Sequence, residues 1–230
     1  MRDTGFSWWL QRIAHHNELF DLVRIDHFRG LAAVWEIDAA CDSAIEGHWV
    51  DTPGDELLDT VRDELGMLPL VAEDLGVITE EVIALKQKFN LPGMSILQFA
   101  FDHFDDNPHK PKNIVVNTVC YTGTHDNDTT LGWFNAMDKE TQQHVRDTLE
   151  VEPDADIVDC MIDTAQQTEA ALVVIPMQDF LKLDSTARMN TPGTIDDNWN
   201  WKLTSEQFRN PELVKQIHQQ LKKNHRLARP

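Results

Sequence analysis

FDLVRIDHFRG (Phe20–Gly30) and LPLVAEDLG (Leu68–Gly76) are two apolar runs of strand length, and each ends abruptly in carboxylates. Asp26 follows the first run, and Glu73 with Asp74 follows the second. Such runs are typical of strands that are buried in a parallel sheet. Because the carboxyl ends of parallel strands open onto one face, where such folds carry their chemistry, the two runs predict an α/β fold with acids gathered at one edge.

Five apolar runs alternate with segments of helical period, which indicates repeated βαβ units and a parallel sheet. The predicted strands are Phe20–Ile25, Leu68–Ala72, Ser95–Phe101, Val115–Tyr121 and Ala171–Pro176. The predicted helices are Phe6–Leu19, Glu56–Leu65, Thr79–Phe89, a pair across Lys139–Ala170 that breaks near Pro153, and Pro211–Leu227. Because no repeat or linker divides the sequence, we expect one domain over residues 1–230.

Composition limits the classes of partner and the compartment. The chain of 230 residues carries 39 Asp and Glu against 20 Lys and Arg, a formal charge of −19, so it would repel nucleic acid. Cys41, Cys120 and Cys160 are widely spaced and fit no metal-ligand or redox pattern, so we expect reduced thiols, no metal and a cytoplasmic location. The sequence has no apolar run of membrane-spanning length and no secretory signal at its start, so no membrane contact is expected.

Asp26 has the surroundings of a nucleophile. Arg24 lies two positions earlier, on the same side of the predicted strand, and Arg29 follows three positions later. A guanidinium at this spacing would keep the carboxylate ionised and oriented. The alternative interpretation is an ion pair that only stabilises the fold.

Glu73 has the surroundings of a general acid. It follows the apolar Leu70–Ala72, and partial desolvation there would favour the protonated form that an acid catalyst needs. Paired carboxylates, one of which attacks or stabilises a sugar carbon while the other protonates the leaving oxygen, are the requirement of glycosidic bond chemistry. The alternative is a capping or solvated acid.

A third acid, Asp126, follows His125 in VCYTGTHDND (Val119–Asp128) at the end of another predicted strand. The pair could instead be half of a metal site or of a hydrolytic triad. However, no serine or cysteine elbow accompanies it, and His-Asp without further ligand spacing is a weak metal signal.

Aromatic residues favour a carbohydrate ligand. The chain has 7 Trp but only 1 Tyr, and indole rings suit the C–H faces of sugars. Trp35 and Trp133 lie just beyond strand ends and are predicted pocket walls, with ordinary packing as the alternative. Asn190 lies in a turn-rich loop, Arg188–Gly193, which could also be an ordinary turn.

The motifs RIDHFRG, AEDLGVIT, PGMSILQFAFD, YTGTHDNDTT, RMNTPGT and NWNWKL occur in this order between about Phe6 and Leu203. Together they resemble the 4-α-glucanotransferases, also called amylomaltases or disproportionating enzymes, of glycoside hydrolase family 77. The resemblance implies a (β/α)8 TIM barrel, no cofactor, and retaining transfer of α-1,4-glucan segments between maltooligosaccharides.

The resemblance also implies roles for individual residues. Asp26 matches the nucleophile, Glu73 the general acid/base and Asp126 the stabiliser of the transition state. The matched positions that hold the sugar at the cleavage point are Arg24, His27, Asp102, His125 and Asn190.

Members of this family are much longer, and the chain is expected to be a C-terminal portion that carries about strands 4 to 8, without strands 1 to 3. Open sheet edges near Val23 and Val174 would then favour self-association. Two other functions stay open at this point: an α-glucan hydrolase of the α-amylase clan, and an inactive or glucan-binding fragment.

Overall fold

The computed structural model describes residues 1–66 and 68–227, which fall into two compact units. Unit 1 spans Met1–Met94 and unit 2 spans Ser95–Pro230. The single domain expected from the sequence stays a prediction.

Unit 1 alternates helices with short strands. Its helices are α1 (Ser7–Leu19), α2 (Gly54–Leu65) and α3 (Glu80–Lys88). Its strands are β1 (Val23–Ile25), β2 (Ala33–Ile37), β3 (Gly47–Asp51) and β4 (Leu70–Ala72), and 3₁₀ turns form at Arg2–Thr4 and Phe28–Leu31. A further strand, β5 (Gly93–Ile96), crosses the boundary between the units.

Strands β1 and β4 pair in parallel, as the two apolar runs predict. Ile25 lies opposite Ala72 at the last position of the pairing, so Asp26 and Glu73 are the next residues on neighbouring strands. One continuous apolar cluster packs on these strands and includes Phe28, which is fully buried. The two acids therefore leave a fixed core at the same end of the paired strands.

Helix α2 shows why these segments fold where they do. Leu57, Leu58 and Val61 recur at helical spacing and are buried, which gives the helix one apolar face. Asp55 stands in the first turn, where the helix dipole favours an acid. The helix ends at Gly66, whose φ of 72° suits a glycine cap.

Unit 2 contains a parallel pair of strands among several helices. The strands are β6 (Thr118–Tyr121) and β7 (Leu172–Val174), and the sheet order is β5-β6-β7. The helices are α4 (Thr130–Asn135), α5 (Lys139–Thr148), α6 (Ile157–Gln167), α7 (Met177–Phe180), α8 (Ser205–Phe208) and α9 (Pro211–Lys223). The 3₁₀ turns lie at Leu97–Phe99, Pro111–Asn113 and Ser185–Ala187.

The second core lies between these helices and strands, with Cys120, Met161 and Val145 at full burial. Asp156 caps the start of α6 because its side chain accepts hydrogen bonds from two backbone N–H groups. Three backbone carbonyls at and beyond the C-terminal end of α6 accept hydrogen bonds of 2.6–2.7 Å from one side chain, the guanidinium of Arg226.

One expectation about secondary structure was wrong, and one pair of strands was not predicted. The predicted strand Ser95–Phe101 is extended only as far as Ile96, because Leu97–Phe99 turns into a 3₁₀ helix that buries Leu97 and exposes Phe99. The sequence also gave no indication of the antiparallel hairpin β2–β3, in which Trp35 lies opposite Trp49.

Candidate active site

Asp26 is exposed and held by one guanidinium. Nη2 of Arg24 donates a hydrogen bond of 2.9 Å to Oδ1 of Asp26, whose side chain is 78% exposed. Arg24 itself is partly buried on β1, with 28% of its side chain exposed. The partly buried cation thus orients a carboxylate whose other oxygen stays open to solvent.

Arg29 does not flank Asp26, contrary to the expectation from the sequence. Its Nη1 donates a 2.5 Å hydrogen bond to the carbonyl of Val77, and its guanidinium stacks 4.1 Å from the ring centroid of Trp49. The 3₁₀ turn Phe28–Leu31 redirects this side chain away from the acid.

Glu73 is fixed by hydrogen bonds to both carboxylate oxygens. Oε2 accepts a 2.7 Å hydrogen bond from the backbone N–H of His27, and Oε1 accepts a longer one of 3.2 Å from that of Leu75. The Glu73 backbone N–H donates to the carbonyl of Ile25, and its own carbonyl accepts from the N–H of Phe28. The turn after β1 therefore wraps around this one residue.

His27 makes that wrapping possible through an unusual backbone conformation. Its φ of 49° lies in the left-handed region, which is uncommon for a residue with a side chain. The conformation directs the His27 N–H at the Glu73 carboxylate, while the imidazole stays exposed. Backbone strain of this kind clusters at functional sites.

Asp74, next to Glu73, has a structural role. Its side chain is only 10% exposed, forms an ion pair with Lys86 of α3 and accepts a 2.8 Å hydrogen bond from the backbone N–H of Met94. Gly93 is required beside it, since a Cβ there would meet both Asp74 oxygens and the Lys86 amine. Of the two adjacent acids, only Glu73 has a carboxylate surrounded by the turn after β1.

Trp35 lies on an exposed hairpin face rather than in an enclosed wall. Its ring centroid is 5.4 Å from that of Trp49, edge to face, and 40% of the residue is exposed. The indole N–H donates a 2.8 Å hydrogen bond to the carbonyl of Ala44, so a ligand can reach only the exposed part of the ring. Trp133, the other predicted wall, packs against the unit 2 core beside Phe101.

In unit 2, Asp126 and Asn190 meet directly. Nδ2 of Asn190 donates a 2.6 Å hydrogen bond to Oδ1 of Asp126, and the Asn190 backbone N–H donates to the carbonyl of His125. Arg188 adds two more bonds, to the carbonyls of Asn190 at 2.9 Å and Asp126 at 2.7 Å. No role was predicted for Arg188 from the sequence, although its charge two positions before Asn190 was an available signal.

His125 lies between an acid and an aromatic ring. Its Nε2 is 3.5 Å from Oδ2 of Asp126, and its ring centroid is 5.2 Å from that of Trp199. Asp126 thus contacts the imidazole through one oxygen and the Asn190 amide through the other, at half exposure. The structure brings together three of the predicted residues of this unit.

Asp102 lies in the loop after the 3₁₀ turn of Leu97–Phe99. A hydrogen bond from Asn107 lowers the pKa of the Asp102 carboxyl, and the backbone N–H of Phe104 and the more distant Lys110 act in the same direction. The side chain is 42% exposed and ionised at neutral pH.

Over residues 1–66 and 68–227, no cluster of three or more His, Cys, Asp or Glu side chains could hold a metal ion. Within the same part of the chain, no helix is long and apolar enough to cross a membrane.

Comparison with known proteins gives concordant matches. The family model described as 4-alpha-glucanotransferase matches residues 1–207. The 4-alpha-glucanotransferase of Thermus thermophilus is 46% identical over 86% of this chain. That of Streptococcus pneumoniae serotype 4 is 42% identical over 90% of this chain. The chain spans 41% of each of these two proteins. A solved amylomaltase from Streptococcus agalactiae, in complex with acarbose, matches 99% of the chain with a TM-score of 0.93 and 32% identity. The chain spans 46% of that protein, so it covers less than half of the length of these relatives.

Proposed function

Because the chain belongs to the 4-alpha-glucanotransferase family, glycoside hydrolase family 77, we propose that the protein transfers α-1,4-glucan segments between maltooligosaccharides with retention of configuration. One observation carries the proposal. Two acids, Asp26 and Glu73, leave neighbouring parallel strands at the same register position, and one is exposed while the other is enclosed by backbone donors. That difference in environment suits the two carboxylates of a retaining mechanism.

In the first step, a carboxylate oxygen of Asp26 attacks the anomeric carbon of the donor glucan. The bond from that carbon to the bridging oxygen breaks, and the electron pair leaves with the oxygen, which takes a proton from Glu73. The product is a glycosyl ester on Asp26 and a free shorter glucan. The hydrogen bond from Arg24 supports this role because it fixes the direction of the attacking carboxylate.

Glu73 is assigned to the proton transfer, and its two backbone hydrogen bonds hold the carboxyl group in one orientation. The bond to Oε1 is the weaker of the two, at 3.2 Å against 2.7 Å, so Oε1 is the oxygen that carries the proton in the proposal. In the second step, the ionised Glu73 takes a proton from the 4-hydroxyl of an incoming glucan, whose oxygen displaces Asp26.

Asp126 is proposed to stabilise the positive charge that develops on the sugar ring. Its fixed carboxylate, held by Asn190 and beside His125, supports that role. We assign contacts with sugar hydroxyls to Arg24, His27, Asp102, His125 and Asn190 and a stacking contact to Trp35. Maltooligosaccharides are the proposed partners, no cofactor takes part, and the protein acts in the cytoplasm.

We also propose that the chain is part of a (β/α)8 barrel. The alternation of parallel strands and helices supports strands 4 to 8 of a (β/α)8 barrel, in which β1, β4, β5, β6 and β7 would be successive barrel strands and the hairpin β2–β3 an insertion.

Trapping the intermediate is the sharpest test of the mechanism. With 5-fluoro-α-D-glucosyl fluoride, the fluoride leaves readily, while the ring fluorine slows turnover of the ester. We expect the chain to gain one sugar on the tryptic peptide Ile25–Arg29, and Asp26→Asn to gain none. Glu73→Gln should still label, since fluoride leaves without a proton. A label at another residue, or a labelled Asp26→Asn, would refute the assignment.

Product analysis distinguishes transfer from its alternative, hydrolysis. Incubation with maltotriose should give glucose and longer maltooligosaccharides in matched amounts, because acceptor sugars outcompete water. New reducing ends without longer products would identify a hydrolase instead. If the chain neither labels nor binds acarbose or maltotriose in calorimetry, the proposed function fails for this chain.

A further inference from the structure

A buried carboxylate outside the proposed reaction lies beneath the loop that carries Asp126. Asp179 belongs to α7 and is 1% exposed. Oδ2 accepts hydrogen bonds from the hydroxyl of Thr122 at 2.6 Å and of Thr130 at 2.8 Å, and Oδ1 accepts one of 2.8 Å from the Thr130 backbone N–H. Thr122 and Thr130 are the two ends of the loop, so one carboxylate holds both.

The three bonds suit an ionised carboxylate. All three partners donate, and such a group accepts at both oxygens without presenting a hydrogen of its own. An amide in the same place would put its NH₂ group either against the two hydroxyls or against the Thr130 N–H. Burial raises the pKa of the Asp179 carboxyl, and the hydrogen bonds from Thr122 and Thr130 oppose that change. Such a costly group is retained where its hydrogen bonds fix a geometry.

The rest of the loop is held on the same side. The hydroxyl of Ser185 donates a 2.6 Å hydrogen bond to Oδ2 of Asp128, and Nε2 of Gln98 donates one of 2.9 Å to the Asp128 carbonyl. Glycine is needed at 123 and 132, because a Cβ there would meet Gln98 and Ser185. The loop is therefore anchored at its two ends and again at Asp128, and His125 and Asp126 lie between these anchors in the chain.

We infer that Asp179 is a positioning residue that fixes the Thr122–Thr130 loop, so that Asp126 and His125 hold the places required for the proposed reaction. The catalytic consequence rests on the proposed function, whereas the effect on the loop does not.

The side-chain amide of Asn190 is the direct reporter, since it donates to Asp126. In NMR spectra of the full chain, Asp179→Asn and Thr122→Val should shift the Asn190 NH₂ and His125 ring signals. Exchange of the Thr130 amide should rise by about tenfold, the equivalent of one lost hydrogen bond. Thr122→Val removes one donor at constant shape and carries the test if Asp179→Asn does not fold.

Ile162→Val is the matched control, because it weakens the buried core of the same unit at a residue of α6 that lies outside the loop in the chain and makes none of its hydrogen bonds. It should lower the melting temperature and leave the three signals unchanged. Unchanged Asn190 and His125 signals in the Thr122 and Asp179 variants would overturn the inference. Failure of the wild-type chain to bind acarbose, with these signals still moving, would count against the proposed function alone.

Discussion

Replacing Arg24 by Gln should separate a catalytic ion pair from a structural one. The Arg24–Asp26 pair is short, at 2.9 Å, but 78% of the Asp26 side chain faces water. Exposed pairs of this kind contribute only about 0.2–1 kcal/mol to the free energy of unfolding. Gln keeps part of the aliphatic stem that is buried on β1, so we expect a loss of stability within that range.

The effect on reactivity should be much larger. If the guanidinium orients the nucleophile, its loss misplaces the attacking oxygen, and small misplacements cost roughly a hundredfold in rate. Urea unfolding gives the stability change, and the rate of Asp26 labelling by the fluorosugar, followed by intact mass spectrometry, gives the reactivity change.

Arg2→Gln is the control, since Arg2 forms a more exposed pair with Glu56 in the same unit at 2.7 and 2.8 Å. It should leave labelling unchanged. The reasoning is refuted if Arg24→Gln lowers the unfolding free energy by more than about 2 kcal/mol while labelling continues at the wild-type rate. Arg24 and Asp26 would then form an ion pair that only stabilises the fold, which is the alternative interpretation from the sequence.

Four further predictions follow from features of unit 2. Burial raises the pKa of the Cys120 thiol to about 11 from 9.0, so at pH 8 its thiolate should be roughly a hundredfold scarcer than that of an ordinary cysteine. Iodoacetamide should therefore modify it only after unfolding. Arg226→Ala should lower the unfolding free energy by about 2–3 kcal/mol, because three carbonyls lose a charged donor, and Arg226→Lys should recover part of the loss in a thermal melt. The folded-state pKa of Asp179 is raised above 3.8, so its contribution to stability is full below that pH and is lost as the pH rises through the folded pKa. The difference in unfolding free energy between the wild type and Asp179→Asn, from urea melts at several pH values, should show that slope. Strand β7 ends the sheet with Val174 39% exposed, so the chain should self-associate in sedimentation, and a monodisperse monomer would contradict this.

The elements that the sequence predicts well are those with a strong apolar period. Helix α3 begins after Thr79, as its first-turn acids indicate, and the predicted pair across residues 139–170 ends and restarts around Pro153. The pairing of β1 with β4 follows from two runs that had to be buried. Here local pattern and tertiary burial act in the same direction.

The hairpin β2–β3 was not predictable in the same way. Its strands are separated by residues 38–46 without a two-residue turn signal. Its central pair, Trp35 and Trp49, lies 14 positions apart and becomes visible only as a register. Arg29 shows a related limit, because sequence distance from Asp26 does not reveal the 3₁₀ turn that directs its side chain to Val77.

Some features of the candidate site could be predicted from the sequence, and others could not. Acids at strand ends were visible from the sequence, and the structure places Asp26 and Glu73 after paired positions. The backbone donors to Glu73 and the carbonyl contacts of Arg188 depend on loop conformation, which residue types do not encode. The left-handed φ of His27 is the clearest case, since the presence of a histidine does not show that its backbone adopts this conformation.

The tryptophan pair of the hairpin gives the protein an optical property of its own. Two indole rings 5.4 Å apart and inclined at 66° have coupled electronic transitions, which produce a paired positive and negative band in circular dichroism. The hydrogen bond from Trp35 to Ala44 and the stacking of Arg29 on Trp49 hold the two rings in one orientation. A rotation of either ring would therefore change the pair of bands. A sugar that stacks on the hairpin would therefore change this circular dichroism signal, so binding could be measured without a label and without turnover.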